Sequence, residues 1–102
     1  MLCLLIDHDF NDRILHGLRL RVPKLDAVVA RTIGFEQTPD VALLAWAAAE
    51  KRIVLSHDVQ TMPGLVVVPQ RVPIGHAVEE LTMVVLCSDQ SEWQNLIIYL
   101  PL

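Results

Sequence analysis

The chain is short of the residues that mark most specialised protein classes. It has two cysteines, Cys3 and Cys87, in 102 residues. With only one pair available, two buried, reduced thiols are expected rather than a disulfide framework. No apolar run approaches the roughly 20 residues of a membrane helix, and the apolar start is too short for a secretory signal. A cytoplasmic protein without membrane contact is therefore expected. The four glycines form no phosphate-cradling loop, and no serine sits in a nucleophile elbow with a His/Asp partner set. Cysteine and histidine never fall at zinc-ligand spacing. Basic residues are also few: eight Lys and Arg face twelve Asp and Glu, for a formal net charge of -4 and a pI of about 5.4. That excludes a general nucleic-acid coat, which needs a basic face to displace counterions. It leaves room for a small acidic, metal-loaded site. Aromatic residues make up 5%, and Trp46 and Trp93 read as packing or interface residues rather than platforms for stacked bases.

Apolar residues are abundant, at 53% with a mean hydropathy of +0.43. Typical domains hold roughly 45–50% even with glycine counted. The length fits a single domain over residues 1–102, whose interior is limited. The surplus predicts an apolar patch that a partner covers, hence a homodimer or a tight partner complex. No linker, internal repeat or low-complexity segment interrupts the chain.

The organising stretch is the first nine residues. Leu2, Cys3, Leu4, Leu5 and Ile6 are apolar without alternation, and Asp7, His8 and Asp9 follow at once. Such a run predicts a strand buried on both faces, as in a parallel sheet. Ligands bind beyond the carboxyl ends of such strands. Phe10, Ile14, Leu15 and Leu18 then recur at helical spacing over residues 10–21, with Asp9 or Asn11 as cap and Pro23 beyond the end. Residues 25–30 predict a second strand and 31–37 a loop. Thr38-Pro39-Asp40 starts a helix with Thr as N-cap, Pro in the first turn and an acid at the positive dipole end. Val41, Leu44, Ala45 and Ala48 predict its buried stripe, and Glu50-Lys51-Arg52 closes it.

Ile53 to Ser56 is another uninterrupted strand, and His57-Asp58 repeats the opening pattern. Pro63-Gly64 predicts a turn, 65–68 a fourth strand, 74–87 a long helix with Ile74, Val78, Leu81 and Val85 inward, and 96–100 a last strand. Residues 88–92 predict a short turn with Trp93 as a lid. Strands alternating with helices predict an α/β domain with a mainly parallel sheet of four to five strands.

Asp7 and Asp58 each follow a buried strand, where an acid has few structural uses. Asp40 begins the helix that leaves the same sheet edge, though it also suits a plain dipole role. Converging carboxylates repel one another unless a hard cation relieves them, and Mg²⁺ or Mn²⁺ fits oxygen ligands best. Asp9 reads as a cap or an auxiliary metal ligand. His8 and His57 each precede an acid and are candidates to bind phosphate, orient a ligand or relay a proton. Ser56 is a candidate to hydrogen-bond a ligand carboxylate. Arg13, Arg19, Arg21, Lys24 and Arg31, five of the eight basic residues, are placed to steer a phosphate backbone or simply to solvate a helix face. His16 and His76 are expected to face solvent.

The blocks Leu4 to Phe10, Asp40 with Leu43-Leu44-Ala45-Trp46-Ala47, and Ile53 to Asp58 together resemble the compact PIN-like proteins. These are small bacterial relatives of VapC-type toxin ribonucleases, and the likeness covers nearly the whole chain. It implies a PIN-like three-layer α/β/α sandwich and a metal-dependent nuclease site with Asp7, Asp40 and Asp58 at the catalytic acidic positions. It also implies an RNA substrate and a cognate antitoxin as partner. The chain departs from that pattern at Gln60 and Thr61, where many relatives carry an acid and then an aromatic, and at His8, where an acid is frequent. The departures keep a second expectation open, a catalytically weak scaffold that acts through dimer or partner binding. A phosphohydrolase with Asp7 as nucleophile and Asp9 as acid also fits an Asp-x-Asp after the first strand, but no downstream Lys stands out for the phosphate.

Overall fold

A computed structural model describes residues 1–34, 40–57, 65–87 and 97–100, with the backbone alone at 40, 41 and 97–99. The elements run β1 (Cys3–Ile6), α1 (Asp12–Arg21), β2 (Asp26–Val29), a 3₁₀ turn (Ala30–Ile33), α2 (Asp40–Ala49), β3 (Ile53–Ser56), β4 (Leu65–Val67), α3 (Ile74–Cys87) and β5 (Ile97–Tyr99). The five strands form one sheet in the order β2-β1-β3-β4-β5, and every neighbouring pair is parallel. Ile6 lies beside both Val29 and Leu55, so β1, β2 and β3 end level at one carboxyl edge.

The missing alternation in the strands follows from burial of both sheet faces. Leu4, Ile6, Ile53, Leu55 and Val66 pack with Ile14, Leu15 and Leu18 of α1 and with Val78, Leu81 and Val85 of α3. The intervening residues Leu5, Val54, Leu65 and Val67 pack on the opposite face, against Leu43, Leu44 and Ala47 of α2. Where α1 packs on α3, a Cβ on Gly17 would meet Val78 Cγ2 at 2.8 Å.

Several expectations are corrected. Among the described side chains of α2, Leu43, Leu44 and Ala47 are buried, whereas Ala45 and Ala48 are exposed; the side chain of Val41 lies outside the described residues. Apolar residues surround this helix, so spacing alone defined no unique inner face. Cys87 is exposed and Cys3 only partly buried, so they are not a pair of core thiols. The expected loop over 31–37 begins inside the 3₁₀ turn, which ends on Gly34 in the left-handed region at φ 86°. Asn11, not Asp9, caps α1, its side chain accepting from Arg13 N–H at 2.9 Å. His16 and His76 are exposed, as expected. Thr38, Pro39, Asp58, Gln60, Thr61, the Pro63-Gly64 turn, the 88–92 turn and Trp93 lie outside the described residues. No helix among the described residues is long and apolar enough to cross a membrane.

Candidate functional site at the carboxyl edge

The alternation that buries Leu5 and Val54 toward α2 continues past the strand ends. Asp7 stands two residues beyond Leu5 and Ser56 two beyond Val54, and their side chains meet: Ser56 Oγ donates to Asp7 Oδ2 at 2.8 Å. The backbone of Asp7 still extends the sheet, its N–H donating to Leu55 C=O at 3.0 Å. Its own C=O accepts from Phe10 N–H at 3.0 Å, which turns the chain sharply and sets His8 and Asp9 over the strand ends.

Asp7 is 4% exposed, and Asp7 and Ser56 are the only buried polar residues among those described. One hydroxyl donor is thin compensation for a carboxylate removed from water. Its second oxygen, Oδ1, has no hydrogen-bond partner among the described residues. His8 Nδ1 approaches it to 3.0 Å, yet the two are not aligned for a hydrogen bond, and Nδ1 is likewise unpartnered. The other ring nitrogen of His8 lies 3.3 Å from Asp9 Oδ2, so the imidazole stands between two carboxylates. Asp9 itself is largely exposed. No arginine or lysine is paired with Asp7 or Asp9 among the described residues.

Asp40 opens α2, the helix on the face toward which Asp7 and Ser56 turn. The side chain of Asp40 and all of Asp58 lie outside the described residues. Among the described residues alone, no three His, Cys, Asp or Glu side chains form a group able to hold a metal.

His57 sits in the same edge but is fully engaged. Its Nδ1 is 2.7 Å from Val68 C=O, and its Nε2 accepts from Asn11 N–H at 3.0 Å. Its ring stacks on Phe10 with centroids 4.4 Å apart and planes 12° from parallel. These partners are 11 and 46 residues away, which is why spacing could not reveal them. Phe10, an aromatic placed straight after the acid cluster, was the one available hint.

The basic residues divide between the two ends of the sheet. Arg31 donates to His8 C=O at 3.1 Å and to Asp12 Oδ1 at 2.7 Å, bracing the acidic turn from outside. Arg13 is exposed in the first turn of α1. Arg19 instead leans on β2, donating to Ala27 C=O at 3.1 Å. The clamp of Arg31 on His8 had no signal in the sequence beyond its charge. In comparison with known proteins, no family model, no curated protein and no solved structure matches this chain.

Proposed function

We propose that the chain is a PIN-like ribonuclease domain of three-layer α/β/α form that uses Mg²⁺ or Mn²⁺ at the carboxyl edge of its sheet. The observation that carries this reading is Asp7: a buried carboxylate at the end of a central strand, with one oxygen held by Ser56 and the other unspent. An oxygen-only, acid-rich donor set fits a hard divalent ion. Asp7 would hold it, with Asp9 as auxiliary ligand and Asp40 and Asp58 as the acids that the sequence blocks assign to the same site. Such an ion supplies an activated water and neutralises charge on the scissile phosphate. Ser56 fixes the Asp7 carboxylate through Oδ2, and Oδ1, beside His8 Nδ1, is the oxygen that would take the ion. His8, between two carboxylates, holds the turn in place, and exposed Arg13, in the first turn of α1, is the candidate cation for an RNA phosphate. A cognate antitoxin is the partner this reading implies.

Asp7→Asn tests it. The wild type is expected to cleave RNA with Mn²⁺, and the variant to lose at least about 100-fold, the scale expected when a group acting on the metal is removed. Mn²⁺ should also raise the Tm of the wild type and leave that of the variant unmoved, since only a binder is stabilised by mass action. Cleavage that survives Asp7→Asn overturns the reading.

A second reading, a scaffold acting through dimer or partner binding, is favoured by one observation. Leu20, Met83 and Leu86 on α1 and α3 are 70%, 64% and 51% exposed. A dimer in sedimentation together with no Mn²⁺ binding by calorimetry would select it.

A further inference from the structure

We infer that His57 is a positioning residue of the candidate site, locked as the Nδ1–H tautomer between two backbone groups, and not a group that meets phosphate or carries a proton. The inference rests on the cation-site reading above and assigns a role inside it. The tautomer follows from the partners. A backbone carbonyl only accepts, so Nδ1 must donate to Val68 C=O; a backbone N–H only donates, so Nε2 must accept from Asn11. Both ring nitrogens are thereby consumed at 2.7 and 3.0 Å, and neither is left for a substrate.

The three elements joined by this ring frame the acidic site. Asn11 ends the turn that carries Asp7, His8 and Asp9, and it caps α1. His57 follows Ser56, which holds the Asp7 carboxylate, and immediately precedes Asp58. Val68 directly follows β4, and its N–H donates to Ser56 C=O at 2.8 Å. Phe10, stacked on the ring, is the residue whose N–H closes the Asp7 turn. One imidazole thus fixes the separation between the Asp7 turn and the end of β3. Groups that orient metal ligands from behind typically change metal affinity by about 10- to 100-fold when removed.

The test needs no catalysis. Nitrogen-15 NMR of the metal-free wild type should show the His57 ring protonated at Nδ1 and bare at Nε2. Mn²⁺ titration by calorimetry or EPR should show affinity at least about 10-fold weaker in His57→Phe, which keeps the stack and loses both hydrogen bonds. His57→Asn, whose amide nitrogen can replace the Nδ1 donor, should recover part of the loss. Arg52→Met, which weakens the opposite end of the sheet, should bind Mn²⁺ like the wild type, separating positioning from general loss of stability. An Nε2–H ring, wild-type affinity in His57→Phe, or an equal loss in Arg52→Met overturns the inference. Failure of the wild type to bind Mn²⁺ at all overturns the cation-site reading and the positioning role with it, whereas an Nε2–H ring in a Mn²⁺-binding protein overturns only the role of His57.

Discussion

Lys51 holds a backbone conformation that its side chain disfavours. Two hydrogen bonds close α2, Lys51 N–H to Ala48 C=O at 3.1 Å and Arg52 N–H to Ala47 C=O at 2.8 Å. Together they make a Schellman ending with Lys51 in the left-handed position, at φ 57°. Glycine is the usual occupant there, because a Cβ crowds the following carbonyl. Lys51→Gly should therefore stabilise the protein by about 0.5–1 kcal/mol, after allowing for the greater freedom of glycine in the unfolded chain. That corresponds to roughly 2–6 °C in Tm for a domain of this size. A calorimetric Tm that falls instead would show that the lysine stem contributes more than its backbone costs. Other single residues were legible for plainer reasons. Asp7 announced itself as the first charge after an apolar run, and Ser56 as a hydroxyl closing a strand. That Ser56 would take the Asp7 carboxylate depended on strand register, which no residue in either strand encodes alone.

Between elements, α1 and α3 pack closely at Gly17. A methyl group there would lie 2.8 Å from Val78 Cγ2, and Val78 is buried and β-branched, so it has little room to turn away. Alanine gains about 0.8–1 kcal/mol over glycine in a helix, while overpacking a core costs about 1–3 kcal/mol. The second effect should win, leaving Gly17→Ala less stable by about 1 kcal/mol in urea unfolding. Adding Val78→Ala to that variant should cost less than Val78→Ala alone, with a coupling of at least about 0.5 kcal/mol. Strict additivity would mean that the helices simply move apart. The element order was readable from the alternation of apolar runs and helical periods, but one connection breaks the pattern that order implies. From β1 to β2 the chain steps one way along the sheet with α1 on one face, and from β2 to β3 it steps back with α2 on the other, so both connections share a hand. From β4 to β5 it again steps as from β2 to β3, yet α3 packs beside α1. This connection has the opposite hand, against a rule that holds in about 98% of parallel crossovers. On that side α3 shares one core with α1, where Val78, Leu81 and Val85 pack with Leu15 and Leu18.

Across the whole molecule the two ends of the sheet do different work, and Arg52 shows it most clearly. At the amino edge its guanidinium NH1 donates to Leu4 C=O at 3.1 Å and to Asp26 Oδ1 at 2.9 Å, tying the start of β3 to β1 and β2. Here a partly buried cation meets a partner acid. At the carboxyl edge the buried charge is Asp7, and no cationic side chain among the described residues is given over to it beyond the nearby His8 ring. The proposed ligand site draws on this difference: arginine bridges the amino edge, whereas at the carboxyl edge one oxygen of a buried acid has no hydrogen-bond partner among the described residues. The two ends should therefore respond in opposite senses. Arg52→Met keeps the stem, loses the charge-assisted hydrogen bonds and should cost about 1–2 kcal/mol; most of that lies in the bond to Leu4, because Asp26 is more than half exposed and its ion pair is screened. Asp7→Asn removes a buried charge while the Ser56 hydroxyl keeps an acceptor, so without metal it should be no less stable than the wild type, and more stable by up to about 1 kcal/mol. Chemical unfolding of both variants in chelator decides the matter. If Asp7→Asn is the one that collapses and Arg52→Met is neutral, Asp7 belongs to the frame, and the division of labour between the two edges fails.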